Sequence, residues 1–131
     1  MSTVGTGGPL PSGAVTFLLT DVEGSTRLWE SDPVLAAAAM ARHRRLLDEV
    51  IAASGGARPV EQGEGDSTVS AFSRPSDAVR AAAAAQRALA GEPWADGAVV
   101  RVRMAVHTGE VLVHDDGTYA GAALNRCARL R

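Results

Sequence analysis

The 131-residue chain contains no lysine; its 13 basic side chains are all arginines. Wherever chemistry would call on an ammonium group, this chain has only guanidinium or a neutral donor to offer. Cysteine occurs once, at Cys127, which excludes an internal disulfide and any multi-cysteine metal centre. Aromatic residues are 4% of the chain against 46% hydrophobic content, so Ala, Val and Leu have to fill the core. Charge of one sign is also scarce. A net charge of −2 gives no bulk electrostatic reason to expect nucleic acid or a membrane surface as a partner. No charge-free apolar run is long enough to span a bilayer. Residues 1–13 are rich in Gly, Ser, Thr and Pro, without the basic start and apolar centre of a secretory leader, so a cytoplasmic location is expected. Neither a Walker A sequence nor Gly-x-Gly-x-x-Gly is present, which argues against P-loop and dinucleotide-binding folds.

What is present fits one domain with one core. Residues 1–12 read as a flexible arm and 13–131 as the domain. An apolar, β-branched run at 14–20 predicts a buried strand, followed by a turn and short helix over 22–31. Ser31 or Asp32 caps a helix that starts at Pro33 and runs to about Ser54, where Gly55-Gly56 stops it. Residues 58–62 and 67–72 form a predicted hairpin around Gly63-Glu64-Gly65. A helix from Ser73 or Ser76 reaches about Ala90. Residues 99–108 and 110–114 read as a second hairpin broken at Gly109, Asp115-Asp116-Gly117 as a turn, and a last helix begins near Gly121. This order predicts an α+β fold, with helices packed on a mostly antiparallel sheet.

Two aspartates stand out. Asp21 follows the first apolar run and precedes Val22, Glu23, Gly24, Ser25 and Thr26; a strand end with Gly lets a backbone approach a phosphate closely. Asp66 sits in Gly65-Asp66-Ser67-Thr68 at the hairpin turn. Taken alone, each reads as ordinary turn or cap chemistry. Together they could hold a divalent cation, since magnesium is usually bound by one or two carboxylates plus substrate phosphates. Asn125 and Arg129 are four apart on the last helix and share a face; an amide beside a guanidinium suits a ribose oxygen and a phosphoryl group. His43, among Arg42, Arg44 and Arg45, reads as part of a solvated helix face. Trp29 and Trp94 read as packing residues, and Cys127 as small core filler.

With those blocks in order, the chain resembles the catalytic domain of class III adenylate/guanylate (nucleotidyl) cyclases. Phe17-Leu-Leu-Thr-Asp21-Val-Glu-Gly-Ser-Thr26, Gly65-Asp66 with the strand to Phe72, Arg103-Met-Ala-Val-His-Thr-Gly-Glu110 and Gly121-Ala-Ala-Leu-Asn125-Arg-Cys-Ala-Arg129-Leu130 carry the likeness over about 14–131. The Asp-Val-Glu-Gly-Ser-Thr form is similar to actinobacterial cyclase-like domains, some fused to ATPase and LuxR-type modules. The resemblance implies a ferredoxin-like cyclase homology domain acting as a homodimer in intracellular signalling, without membrane or direct nucleic-acid contact. Asp21 and Asp66 would hold two Mg2+ or Mn2+ ions on ATP or GTP. Val22, Glu23, Gly24, Ser25 and Thr26 would lie along the substrate. Asn125 and Arg129 of the other subunit would orient the ribose and bind the transferring phosphoryl group. The products would be a 3′,5′-cyclic nucleotide and pyrophosphate.

The chain departs from that family in two places. Gln62 stands where the base-selecting Lys is usual, with Thr118 at the partner base-reading position. The chain also stops just past Arg129, where such domains continue into further strands, so the domain is expected to be incomplete and the isolated chain less stable and inactive. The competing expectation is a weak or inactive cyclase-homology module that dimerises or senses nucleotide for a transcriptional regulator.

Overall fold

The computed structural model describes residues 10–58, 66–116 and 119–120. Strand β1 (Gly13–Val22) leads into the short helix α1 (Ser25–Ser31) and the long helix α2 (Pro33–Ala53). Strand β2 (Ser67–Phe72), helix α3 (Pro75–Gly91), strand β3 (Val102–Val113) and the two-residue strand β4 (Tyr119–Ala120) follow. The sheet order is β2-β1-β3-β4, antiparallel throughout, which is the expected α+β arrangement.

Local chemistry sets the boundaries. The Asp32 carboxylate accepts a hydrogen bond from Leu35 N at 3.1 Å, and Pro33 occupies the first turn of α2, where a missing N–H costs nothing. At the other end Gly55 takes φ +79°, with Gly56 N donating to Ile51 O and Gly55 N to Ala52 O. That pattern is a Schellman stop, and it needs the left-handed backbone that glycine allows. A Cβ at Gly56 would come within 2.7 Å of the Phe72 ring, so the chain can turn back onto β2 only with glycine there.

Strand β1 is buried on both faces from Val15 to Thr20. Alternation along the strand sends Leu18 toward α2 and α3, where it packs with Ile51, Phe72, Ala78 and Ala81. Val15, Phe17 and Leu19 point to the opposite face and pack with Val69, Ala71, Ala105, Val111 and Tyr119. The alanines of α3 (Ala78, Ala81, Ala85) let that helix lie close to the sheet, which is how a core poor in aromatics closes. Trp94 helps to seal the core beyond α3, its indole N–H donating to Leu89 O.

Several expectations are corrected. Residues 99–108 and 110–114 are not a hairpin: β3 is continuous through Gly109, which pairs with Val15. Gly109 has no positive φ; it is a strand glycine, and the reversal comes instead between Val113 and Tyr119, which are themselves paired. Strand β1 extends past Asp21 to Val22, and α1 starts only at Ser25. Gly24, in the left-handed region, takes the N-cap position, with no side-chain cap. Helix α3 is preceded by Arg74 rather than by a serine cap. The end of the supposed arm is tied down: Leu10 packs against the Phe17 cluster, and the Tyr119 hydroxyl donates to Pro11 O at 2.8 Å. Of the first predicted hairpin the structure describes β2 and an antiparallel bridge between Ala57 and Ala71; residues 59–65 lie outside the described residues. Trp29 is exposed on α1 rather than packed.

Candidate functional site

The register between β2, β1 and β3 lines up Ser67, Asp21 and Arg103 across three strands. Four residues upstream on β1, the corresponding row is Ala71, Phe17 and His107. The same sheet face therefore passes from core to polar end within two pleats. At that end the Asp21 carboxylate is held on both oxygens. Oδ1 accepts from the Ser67 hydroxyl at 3.2 Å and Oδ2 from Arg103 Nη2 at 2.5 Å. Side-chain exposure is 29% for Asp21 and 54% for Arg103, so the pair is open to solvent and contributes little to stability. Asp66 immediately precedes Ser67, partly buried at the turn into β2. The two aspartates thus flank one strand boundary, where neighbouring strands lie about 5 Å apart.

On the reverse side of this end, Thr20 and Thr68 join hydroxyls in a buried pair. Val22 packs there with Met40, Leu89, Val100 and Val102, and Glu23 N donates to Arg101 O at 2.8 Å, which carries the β1–β3 pairing one step past the strand. A cleft of about 210 Å³ opens beside the turn, lined among others by Val22, Gly24, Arg27, Leu28, Met40 and Val100. Glu23 and Ser25 also border it, whereas Thr26 does not. None of Asp21, Asp66, Ser67 and Arg103 lines it. The turn from Val22 to Ser25 therefore separates an apolar-floored cleft on the helix side from the carboxylates on the other.

His43 is fully buried on α2 rather than solvated. Helical spacing puts it on the inner face with Ala36, Ala39, Met40 and Leu47, while its neighbour Arg42 turns outward to a two-point pair with Glu92 at 2.9 and 3.0 Å. Burial pushes the His43 imidazole below its ordinary pKa, against the pull of the nearby Asp66 carboxylate. Arg58 is also buried and lies 2.8 Å from Asp48; burial lowers its pKa while Asp48 opposes the shift.

The donor set suits a hard divalent ion. Asp21 and Asp66 supply oxygen, and no cluster of three or more His, Cys, Asp or Glu occurs among the described residues. These residues alone therefore do not form a closed cage; an ion placed here would complete its shell with water or phosphate oxygens, as magnesium commonly does. Gln62, Thr118, Asn125 and Arg129 lie outside the described residues. Arg103 and Ser67 were not among the candidate residues that the sequence suggested. The only signal was the Arg at the start of the third block, and its contact with Asp21 depends on a strand register that no single sequence displays. No described helix is long and apolar enough to cross a membrane.

No family model matches the chain. It is 45% identical over 121 residues to an uncharacterized protein of Mycobacterium tuberculosis, a match that takes in 92% of this chain but 40% of that protein. The chain thus spans less than half the length of this relative. Among solved structures, an adenylate cyclase from Trypanosoma brucei, described in its monomeric state, superposes with a TM-score of 0.79 at 27% identity, covering 95% of this chain and 71% of that one. An adenylate/guanylate cyclase/hydrolase from Silicibacter pomeroyi gives a TM-score of 0.75 at 28% identity, covering 89% and 68%. The chain therefore carries the class III adenylate/guanylate cyclase domain fold.

Proposed function

We propose that this chain is the nucleotide-handling part of a nucleotidyl cyclase, which converts a purine nucleoside triphosphate, ATP or GTP, into a 3′,5′-cyclic nucleotide and pyrophosphate. The observation that carries this reading is the pairing of Asp21 with Ser67, which brings Asp21 and Asp66 to one strand boundary in a cyclase fold. In it, Asp21 and Asp66 would hold two Mg2+ or Mn2+ ions. Bound there, the ions supply charge neutralisation on the triphosphate and acidify the ribose 3′-hydroxyl. The segment from Glu23 to Thr26, where the turn enters α1, borders the substrate. Asn125 and Arg129 come from a second copy of the chain, the amide orienting the ribose and the guanidinium binding the α-phosphoryl oxygens. The 3′-oxygen loses its proton to solvent and bonds to the α-phosphorus, the bond from that phosphorus to the bridging oxygen breaks, and pyrophosphate leaves in line.

A second reading, a nucleotide-sensing or dimerising module within a longer regulator, is favoured by Gln62. A glutamine offers the purine edge both a donor and an acceptor but no charge. Losing a charge-assisted hydrogen bond costs about 1.5–3 kcal/mol, so base selection is expected to be weak in either reading. The test is production of cyclic AMP and cyclic GMP from ATP and GTP with manganese, in a longer protein that carries this chain together with the strands that cyclase domains add beyond the Arg129 helix, and in its Asp21→Ala variant. Low, poorly discriminating turnover that vanishes in Asp21→Ala supports the cyclase. Metal-dependent nucleotide binding without product supports the sensor. Product formation undiminished in Asp21→Ala would overturn the assignment of the site.

A further inference from the structure

We infer that Arg103 and a divalent cation are alternative partners of Asp21, so that the Asp21–Arg103 ion pair is a lock on this carboxylate which a cation has to open. The inference rests on the reading of Asp21 as a metal ligand and goes beyond it by giving Arg103 a part in controlling access. Both oxygens of Asp21 are engaged, one by the Ser67 hydroxyl and the other by Arg103. The two contacts differ in kind. Ser67 carries no charge, and its hydroxyl can stay on Asp21 beside a bound cation or turn its lone pairs toward it. Arg103 cannot: a guanidinium has five N–H donors, no lone pair to offer and a permanent positive charge. A cation on Oδ2 would face that charge at contact distance, so one of the two has to leave.

The position of Arg103 makes this a built contact rather than a chance one. Arg103 is directly opposite Asp21 in the β1–β3 register, on the same sheet face, with nine further paired positions along the two strands. The backbone thus fixes the arginine beside the aspartate. The strength of the pair is nevertheless small, because both side chains are substantially exposed and exposed ion pairs are worth little. A buried pair would shut the site; an exposed one only raises the cation concentration needed to fill it.

The experiment measures Mn2+ alone binding to the chain, by electron paramagnetic resonance of the free ion, in wild type, Arg103→Met, Arg101→Met and Asp21→Asn. Arg101 is two residues earlier and exposed, and Asp21 pairs with Arg103 rather than with it, so its substitution controls for the loss of a positive charge. Thermal melts check that each variant is folded. Arg103→Met should bind Mn2+ roughly two- to fivefold more tightly than wild type, the factor expected for release of an exposed ion pair. Arg101→Met should change the affinity less, and in an Asp21→Asn background Arg103→Met should bring no gain. An unchanged or weaker affinity in Arg103→Met, or equal gains from both arginine substitutions, overturns the lock while leaving Asp21 as a ligand. If Asp21→Asn itself leaves Mn2+ affinity untouched, the metal reading of the site fails and the lock with it.

Discussion

Phe17 and Asp21 stand on one strand and one sheet face, four residues or about 13 Å apart, and they live in different worlds. Phe17 has no solvent exposure; it lies between Ala71 and His107 and meets the edge of the Tyr119 ring, 5.1 Å away centre to centre. Asp21 lies between Ser67 and Arg103, and water reaches all three side chains in part. Nothing in the backbone distinguishes the two rows, since both are regular antiparallel pairing. The difference is which side chains the same register brings together. A sheet can thus place a rigid polar row at its end without a special loop, and the core row upstream supplies the rigidity.

The strongest way to sharpen this contrast is to empty the core row. Phe17→Ala should cost about 3–5 kcal/mol, as truncations of fully buried aromatic side chains do, read as a lowered midpoint in urea unfolding. A loss below 1 kcal/mol would mean that the Phe17 face is not the support of the strand, and the rigidity argued for the Asp21 row would lose its basis.

How far this was legible in the sequence differs between the two rows. The apolar run of β1 and the Asp32-Pro33 start and Gly55-Gly56 stop of α2 are local signals, and the structure bears them out. Gly109 was misleading because glycine in a strand looks like a break; only pairing with Val15 reveals it as strand interior. His43 was misleading for a different reason. Three flanking arginines suggest a solvated face, but the helical period assigns His43 to the stripe of Ala36, Met40 and Leu47, and that stripe is buried. The aspartates could be named from sequence because each stands in a block that carries the cyclase resemblance; that they are neighbours follows from the β1–β2 register, in which Asp21 pairs with Ser67. Arg103 could not, because its place opposite Asp21 depends on a non-local register across 82 residues.

The next largest effect is expected directly behind the polar row. Thr20 and Thr68 are both buried, and their hydroxyls satisfy one another. Thr20→Val keeps the shape but strands the Thr68 hydroxyl, at a cost of about 1–3 kcal/mol; replacing both threonines by valine should recover most of that loss, since no buried polar group is then left alone. Additive losses in the double variant, measured by a denaturation cycle, would show that the pair acts through something other than mutual satisfaction.

The smallest effect on folding should come from the residue that matters most to the proposed chemistry. Asp21→Asn removes one partner of an exposed ion pair and leaves Arg103 facing water, so no buried charge is orphaned. The amide can still accept from Ser67. The change in unfolding free energy should stay within about 1 kcal/mol, while Mn2+ binding and any cyclic-nucleotide formation are lost. This dissociation of stability from ligand binding is what separates a functional row from a structural one. If Asp21→Asn were to destabilise the chain as much as Thr20→Val, the contact with Arg103 would have to be counted with Phe17 among the supports of the sheet. The carboxylate would then be fixed for folding, and its freedom to exchange the guanidinium for a cation would be gone.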